Sequence, residues 1–157
     1  MIAVSLIVNV ALLVALDAGV AAAETVPPQA IAPAPKSEIL GLWKGSSTCT
    51  KVEGNEFCHD ETVFYDFVDV PSQPATVTLK AARIVDGTVR RTYDLYFTYR
   101  PDTGNWTCEF DRDKSRGVWT YVVVGDGLTG TGMLLPERKI VRNVTAKRTT
   151  KDQVLAP

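Results

Sequence analysis

Between Val89 and Arg100 the chain alternates with a period of two. Tyr93, Leu95, Phe97 and Tyr99 fall on one side, and Thr92, Asp94 and Thr98 on the other. A helix would scatter these side chains around its axis, whereas an extended strand gathers them on one face. Similar runs rich in Val, Thr, Tyr and Phe, bounded by Gly, Asp and Pro, cover 39–49, 61–70, 75–85, 105–111, 117–124, 128–135 and 139–148. Asp86-Gly87 joins the third run to the fourth as a hairpin dipeptide, and Asp102-Thr103-Gly104 and Gly125-Asp126-Gly127 mark two further turns. No window from Ile39 to Arg148 supports an amphipathic helix. Eight strands with mostly short connections predict an all-β fold, an eight-stranded antiparallel up-and-down barrel. Eight is a number at which such a meander closes and loses its exposed edges. A two-sheet β-sandwich is the alternative.

Ahead of the strands, Ile2–Leu16 is almost wholly apolar and leads to Gly19, Val20, Ala21, Ala22 and Ala23. Ala21 and Ala23 fit the small-x-small cleavage rule, so residues 1–23 are expected to be a signal peptide. The apolar run is shorter than the about 20 residues that span a bilayer, so no stable membrane anchor is expected after cleavage. Residues 24–37, with Pro27, Pro28, Pro33 and Pro35, suit a disordered tether. The barrel domain is placed at 38–148 and a flexible tail at 149–157. This organisation predicts a secreted or periplasmic protein. The chain of 157 residues carries 17 basic and 18 acidic side chains and is 45% apolar. That balance excludes a disordered chain and argues against a dedicated nucleic-acid binder.

Cys49 and Cys58 flank a polar loop between two strand ends, and an exported protein meets an oxidising compartment, so they are expected to form a disulfide. Cys108, between Trp106 and Phe110 on one strand face, reads as a small apolar core residue. Three cysteines and one histidine lack the paired spacing of a structural zinc site, and no metal is expected. His59 and Glu61 share a strand face, but two ligands are too few for a cation. Acidic residues gather at 53–69 and basic ones at 138–151, a pattern that suits solvated faces on neighbouring strands. No Gly-rich phosphate loop precedes a helix, and no Ser occupies a nucleophile elbow. No catalytic residue, cofactor or enzymatic activity is expected.

Gly41-Leu42-Trp43 at the start of the first strand resembles the Gly-x-Trp signature of lipocalin and calycin barrels. The wider pattern adds Gly45, Cys49, Cys58-His59-Asp60-Glu61, Trp119 and Gly130-Thr131-Gly132. It is similar to small exported bacterial lipocalin-like proteins of unknown function. The resemblance implies that Trp43 closes one barrel end beneath an arginine from the last strand. Arg142 is the first choice and Arg148 the second. Arg142 is favoured because it shares a face with Ile140 and Val144, and a charge in an apolar stripe needs a partner. The sequence departs from lipocalins in showing no helix after the last strand.

The inward aromatic side chains suggest a binding module for a small apolar or amphipathic ligand. Its expected lining is Tyr65, Phe67, Tyr93, Phe97, Tyr99, Trp106 and Phe110. The alternative is a protein-interaction module, such as an inhibitor of an exported hydrolase that inserts its Pro-rich amino-terminal segment into a cleft.

Overall fold

The computed structural model describes residues 35–53, 55, 58–112 and 115–154. The expected signal peptide and the tether up to residue 34 lie outside the described residues. A single helical turn, α1 (Lys36–Ile39), leads into eight strands: β1 (Gly41–Cys49), β2 (Glu61–Asp69), β3 (Thr76–Val85), β4 (Thr88–Arg100), β5 (Asn105–Arg112), β6 (Ser115–Val124), β7 (Gly127–Leu135) and β8 (Lys139–Arg148). Each strand pairs antiparallel with the next, and β8 returns to β1, so the sheet closes into one up-and-down barrel. The two-sheet sandwich is thereby excluded. Val85 pairs with Thr88 across Asp86 and Gly87, which both take positive φ. That is the backbone a two-residue hairpin turn needs and the reason Asp-Gly suits it.

The strands hold their faces apart as the period-two pattern requires. Phe67, Val77, Phe97, Trp106, Tyr121, Leu128 and Val144 are buried inside. Phe67, Phe97 and Tyr121 meet with ring centroids 5.1–5.9 Å apart and fill the middle of the barrel. On the outer face, Thr76, Thr98, Thr107, Thr120, Thr131, Asn143 and Thr48 are successive cross-strand partners from β3 round to β1. Threonine pairs of this kind favour the pleated, solvated side of a sheet.

One barrel end is sealed. Ile39 of α1 and Trp43 of β1 are completely buried there, and Trp43 Nε1 donates to the Ile39 carbonyl at 2.8 Å. The Arg148 guanidinium lies over the Trp43 ring, 4.3 Å from its centroid. It also donates to the carbonyls of Leu40 and Glu38 at 2.7 and 2.6 Å. Gly41 lets it come close, because a Cβ built there would lie 3.4 Å from Arg148 Nη1.

The expectation that Arg142 caps Trp43 is therefore corrected. β1 and β8 run antiparallel with Trp43 opposite Arg148, while Arg142 lies opposite Cys49 at the far end of β1. A residue near the start of one strand meets the end of its antiparallel partner, so the capping arginine must come late in β8. The shared face of Ile140, Arg142 and Val144 is also interrupted. The β7–β8 register shifts between Gly132 and Met133, whose partners are Arg142 and Ile140, and Ile140 is exposed. Two further differences lie at the domain edges. The first strand begins at Gly41 rather than Ile39, because Lys36–Ile39 coils into α1. A second helical turn, α2 (Lys151–Val154), occupies part of the expected tail.

Candidate ligand cavity at the open mouth

The other end of the barrel gathers the end of β1, the start of β2, the β3–β4 hairpin, the end of β5, the start of β6 and the start of β8. The Cys49–Cys58 disulfide, with Cα atoms 5.9 Å apart, closes the β1–β2 loop beside it. Asp60 Oδ1 accepts from the Cys49 amide at 2.7 Å, and Asn55 Nδ2 donates to the carbonyls of Thr50 and Val141. These contacts tie Cys49, Thr50, Asn55 and Cys58 to the barrel wall at this end.

Inside the mouth is a cavity of about 440 Å³. Glycine and alanine make the room. Ala81 and Ala82 line one wall, where β3 and β4 shift register and Thr92 Oγ1 donates to the Ala81 carbonyl at 3.1 Å. On β7 the rings of Tyr121 and Trp119 lie directly over Gly130 and Gly132. A Cβ at Gly130 would come within 2.2 Å of the Tyr121 ring, and one at Gly132 within 2.8 Å of Trp119. The two rings stack nearly parallel, 12° apart in plane. Val63, Tyr65, Tyr93, Leu95, Phe110 and Trp119 give the cavity an apolar, aromatic body.

Its rim is charged. Glu61, Arg83, Arg142 and Ser47 all line the cavity. Glu61 takes Arg83 at 2.6 Å on one oxygen and Arg142 at 3.4 Å on the other. Arg142 also donates to Ser47 Oγ at 3.0 Å and to the His59 carbonyl at 3.2 Å, so its position is fixed. Two guanidiniums thus share one carboxylate, and the lining carries one excess positive charge in a partly desolvated place.

Below the rim stand two phenols. Burial pushes Tyr65 well above the ordinary tyrosine range, and the neighbouring Tyr93 adds to the shift. Burial likewise raises Tyr93, and raises Tyr121 strongly. Tyr121 and Tyr65 are joined by a hydrogen bond. At neutral pH all three are therefore protonated, and Tyr65 and Tyr93 line the cavity as neutral phenols.

Of the seven aromatic residues expected to line a site, Tyr65, Tyr93 and Phe110 do so. Phe67, Phe97 and Trp106 are fully buried in the filled part of the barrel, and Tyr99 packs against Trp106 at 5.2 Å. Eight strands leave an interior that side chains can fill, and here they fill all but the mouth. Cys108 is buried, and Glu61 faces two arginines. Among the described residues no group of three or more His, Cys, Asp or Glu is placed to hold a metal. Sequence reasoning missed Glu61 and Arg83 as rim residues, Trp119 as a wall, and the true place of Arg142. A signal for the rim was present: Ser47, Glu61 and Arg83 continue the inward alternation of Gly45, of Val63 and Tyr65, and of Leu79 and Ala81.

No protein-family model matches this chain, and comparison with curated proteins gives no match either. The closed barrel of eight antiparallel strands is compatible with a lipocalin-like fold.

Proposed function

We propose that this chain is an exported, non-enzymatic, lipocalin-like binding protein whose open mouth takes a small amphipathic molecule with an anionic head. The observation that carries the reading is the division of one cavity into an aromatic body and a rim with two arginines against one glutamate. A volume of about 440 Å³ falls in the range of small-molecule sites, which are mostly apolar with a few fixed polar groups. A carboxylate or sulfonate at the rim balances the excess charge, and the ligand's apolar part covers Trp119 and Phe110. Export is supported by the apolar segment ending in Ala21-Ala22-Ala23 and by the Cys49–Cys58 disulfide. The described residues contain no helix long and apolar enough to cross a membrane.

Trp119 supplies the test, because a ligand against its ring changes its emission. Tryptophan fluorescence is followed during titration with matched pairs, dodecanoate against dodecanol and retinoate against retinol, and with haem. The proposal expects saturable changes with the acids and weaker ones with the alcohols. No saturable response to any member of the panel refutes it.

A further inference from the structure

The barrel wall is not uniformly sewn. Among the described residues seven of its strand interfaces hold between seven and ten residue pairs each, but β4 and β5 share only three: Thr98 with Thr107, Tyr99 with Trp106 and Arg100 with Asn105. Among the described residues, no register pair joins Asp94–Phe97 of β4 to Glu109–Asp111 of β5 beyond Thr98 and Thr107. The Tyr99 amide donates to the carbonyl of Ala75, the residue just ahead of β3. By two-residue alternation, the main-chain groups of Tyr96 and Asp94 therefore turn away from β3, towards β5. Those of Glu109 and Asp111 turn towards β4 by the same alternation from Thr107. Apart from the Cys108 Sγ contact to the Glu109 carbonyl at 3.5 Å, no ladder partner is present here among the described residues, and such an edge is a template for another extended chain.

We propose that the β4–β5 seam accepts an extended polypeptide strand from a partner protein, with apolar and basic residues alternating along it. The side chains bordering the seam define that alternation. On the inner side Leu95 and Phe110 face the cavity from opposite edges, so an inserted strand points apolar side chains there. On the outer side stand Tyr96, which is 65% exposed, and the carboxylates Asp94, Glu109 and Asp111. Their present cations are Arg91 on β4 itself, Lys80 opposite Asp94 on β3, and Arg116 on β6, so none lies across the seam. The positions directly opposite an added strand are thus acidic, and cross-strand pairs of opposite charge are the favourable ones. Pairing on both edges spreads the seam to two strand spacings, about 10 Å. This docking site does not need the small-molecule reading to hold, although both use the face of Leu95 and Phe110.

Amide hydrogen exchange tests the seam first. In the free protein the amides of Asp94, Tyr96, Glu109 and Asp111 should exchange at least about tenfold faster than those at the centre of the β6–β7 interface. Next, a capped heptapeptide alternating lysine with valine, with phenylalanine at its centre, should slow exchange at these four amides. The same peptide methylated on alternate backbone nitrogens should fail to do so. The Glu109→Lys, Asp111→Lys double variant should bind the unmodified peptide at least about tenfold more weakly, a difference of about 1.4 kcal/mol. The proposal is overturned if the four amides are already as protected as the β6–β7 centre. It is equally overturned if both peptides bind alike, or if neither binds at about 1 mM.

Discussion

Replacing Arg148 with alanine removes the lid from Trp43, and the cost can be worked from its contacts. The guanidinium stands 4.3 Å above a completely buried ring, a cation–π contact of about 1–2 kcal/mol in such surroundings. It also makes two charge-assisted hydrogen bonds, to the carbonyls of Leu40 and Glu38, each worth about 1.5 kcal/mol. Its approach to Asp126 at 3.5 Å adds nothing countable, since that carboxylate is 88% exposed. The Arg148 side chain is itself 33% exposed, so water recovers part of the loss. The net destabilisation should be about 3 kcal/mol, or roughly 10–15 °C in Tm for a domain of this size. Urea unfolding followed by tryptophan emission measures it. Arg142→Ala, at the opposite end of β8, should cost only about 1 kcal/mol, because Glu61 keeps Arg83. If Arg148→Ala costs less than about 1 kcal/mol, or Arg142→Ala costs as much as Arg148→Ala, the account of the sealed end is wrong.

Gly132→Val should drive the Trp119 ring towards the cavity, since a Cβ there lies within 2.8 Å of it. Ligand response should fall at least about tenfold while the barrel's circular dichroism stays unchanged. The buried phenols set an alkaline limit. Tyr65 and Tyr121 titrate higher folded than unfolded, so their contribution is fully present below about pH 10 and is lost as pH rises through the folded values. Phenolate absorbance of these two tyrosines should appear together with loss of structure, and ionisation of both in the intact barrel would contradict their burial. Opening the Cys49–Cys58 disulfide by a double serine substitution should cost about 2–3 kcal/mol, as expected for a loop closed over nine residues. A loss below about 0.5 kcal/mol in urea unfolding would show that the loop is held without it.

The strands were legible because each carries its own alternation and most turns carry their own residues. Asp86-Gly87 specified a hairpin, and Trp106, Cys108 and Phe110 specified an inward face. What a strand cannot announce is its register against a distant neighbour. Arg142 and Arg148 both belong to β8, and only the pairing of Trp43 with Arg148 decides between them. The shift between Gly132 and Met133 was hidden as well, since Ile140, Arg142 and Val144 alternate evenly in the sequence. Four residues are too few to display a helical period, so the sequence shows only tether and strand where α1 lies. The opening between β4 and β5 left no trace, because both strands alternate normally to their ends. Glu61 belongs to an acidic run that suits a solvated face, and only closure of the barrel brings it together with Arg83 and Arg142.

The preference of the mouth for an anion is most directly tested by calorimetric titration of dodecanoate and dodecanol into the wild-type protein and an Arg142→Gln variant. The wild type should bind the carboxylate at least about tenfold more tightly than the alcohol, a difference of about 1.4 kcal/mol. The variant should lose that preference and keep its affinity for the alcohol, because Arg142 acts at the rim and the aromatic body is untouched. An equal preference in both proteins, or heat from neither ligand in the wild type, would contradict the account.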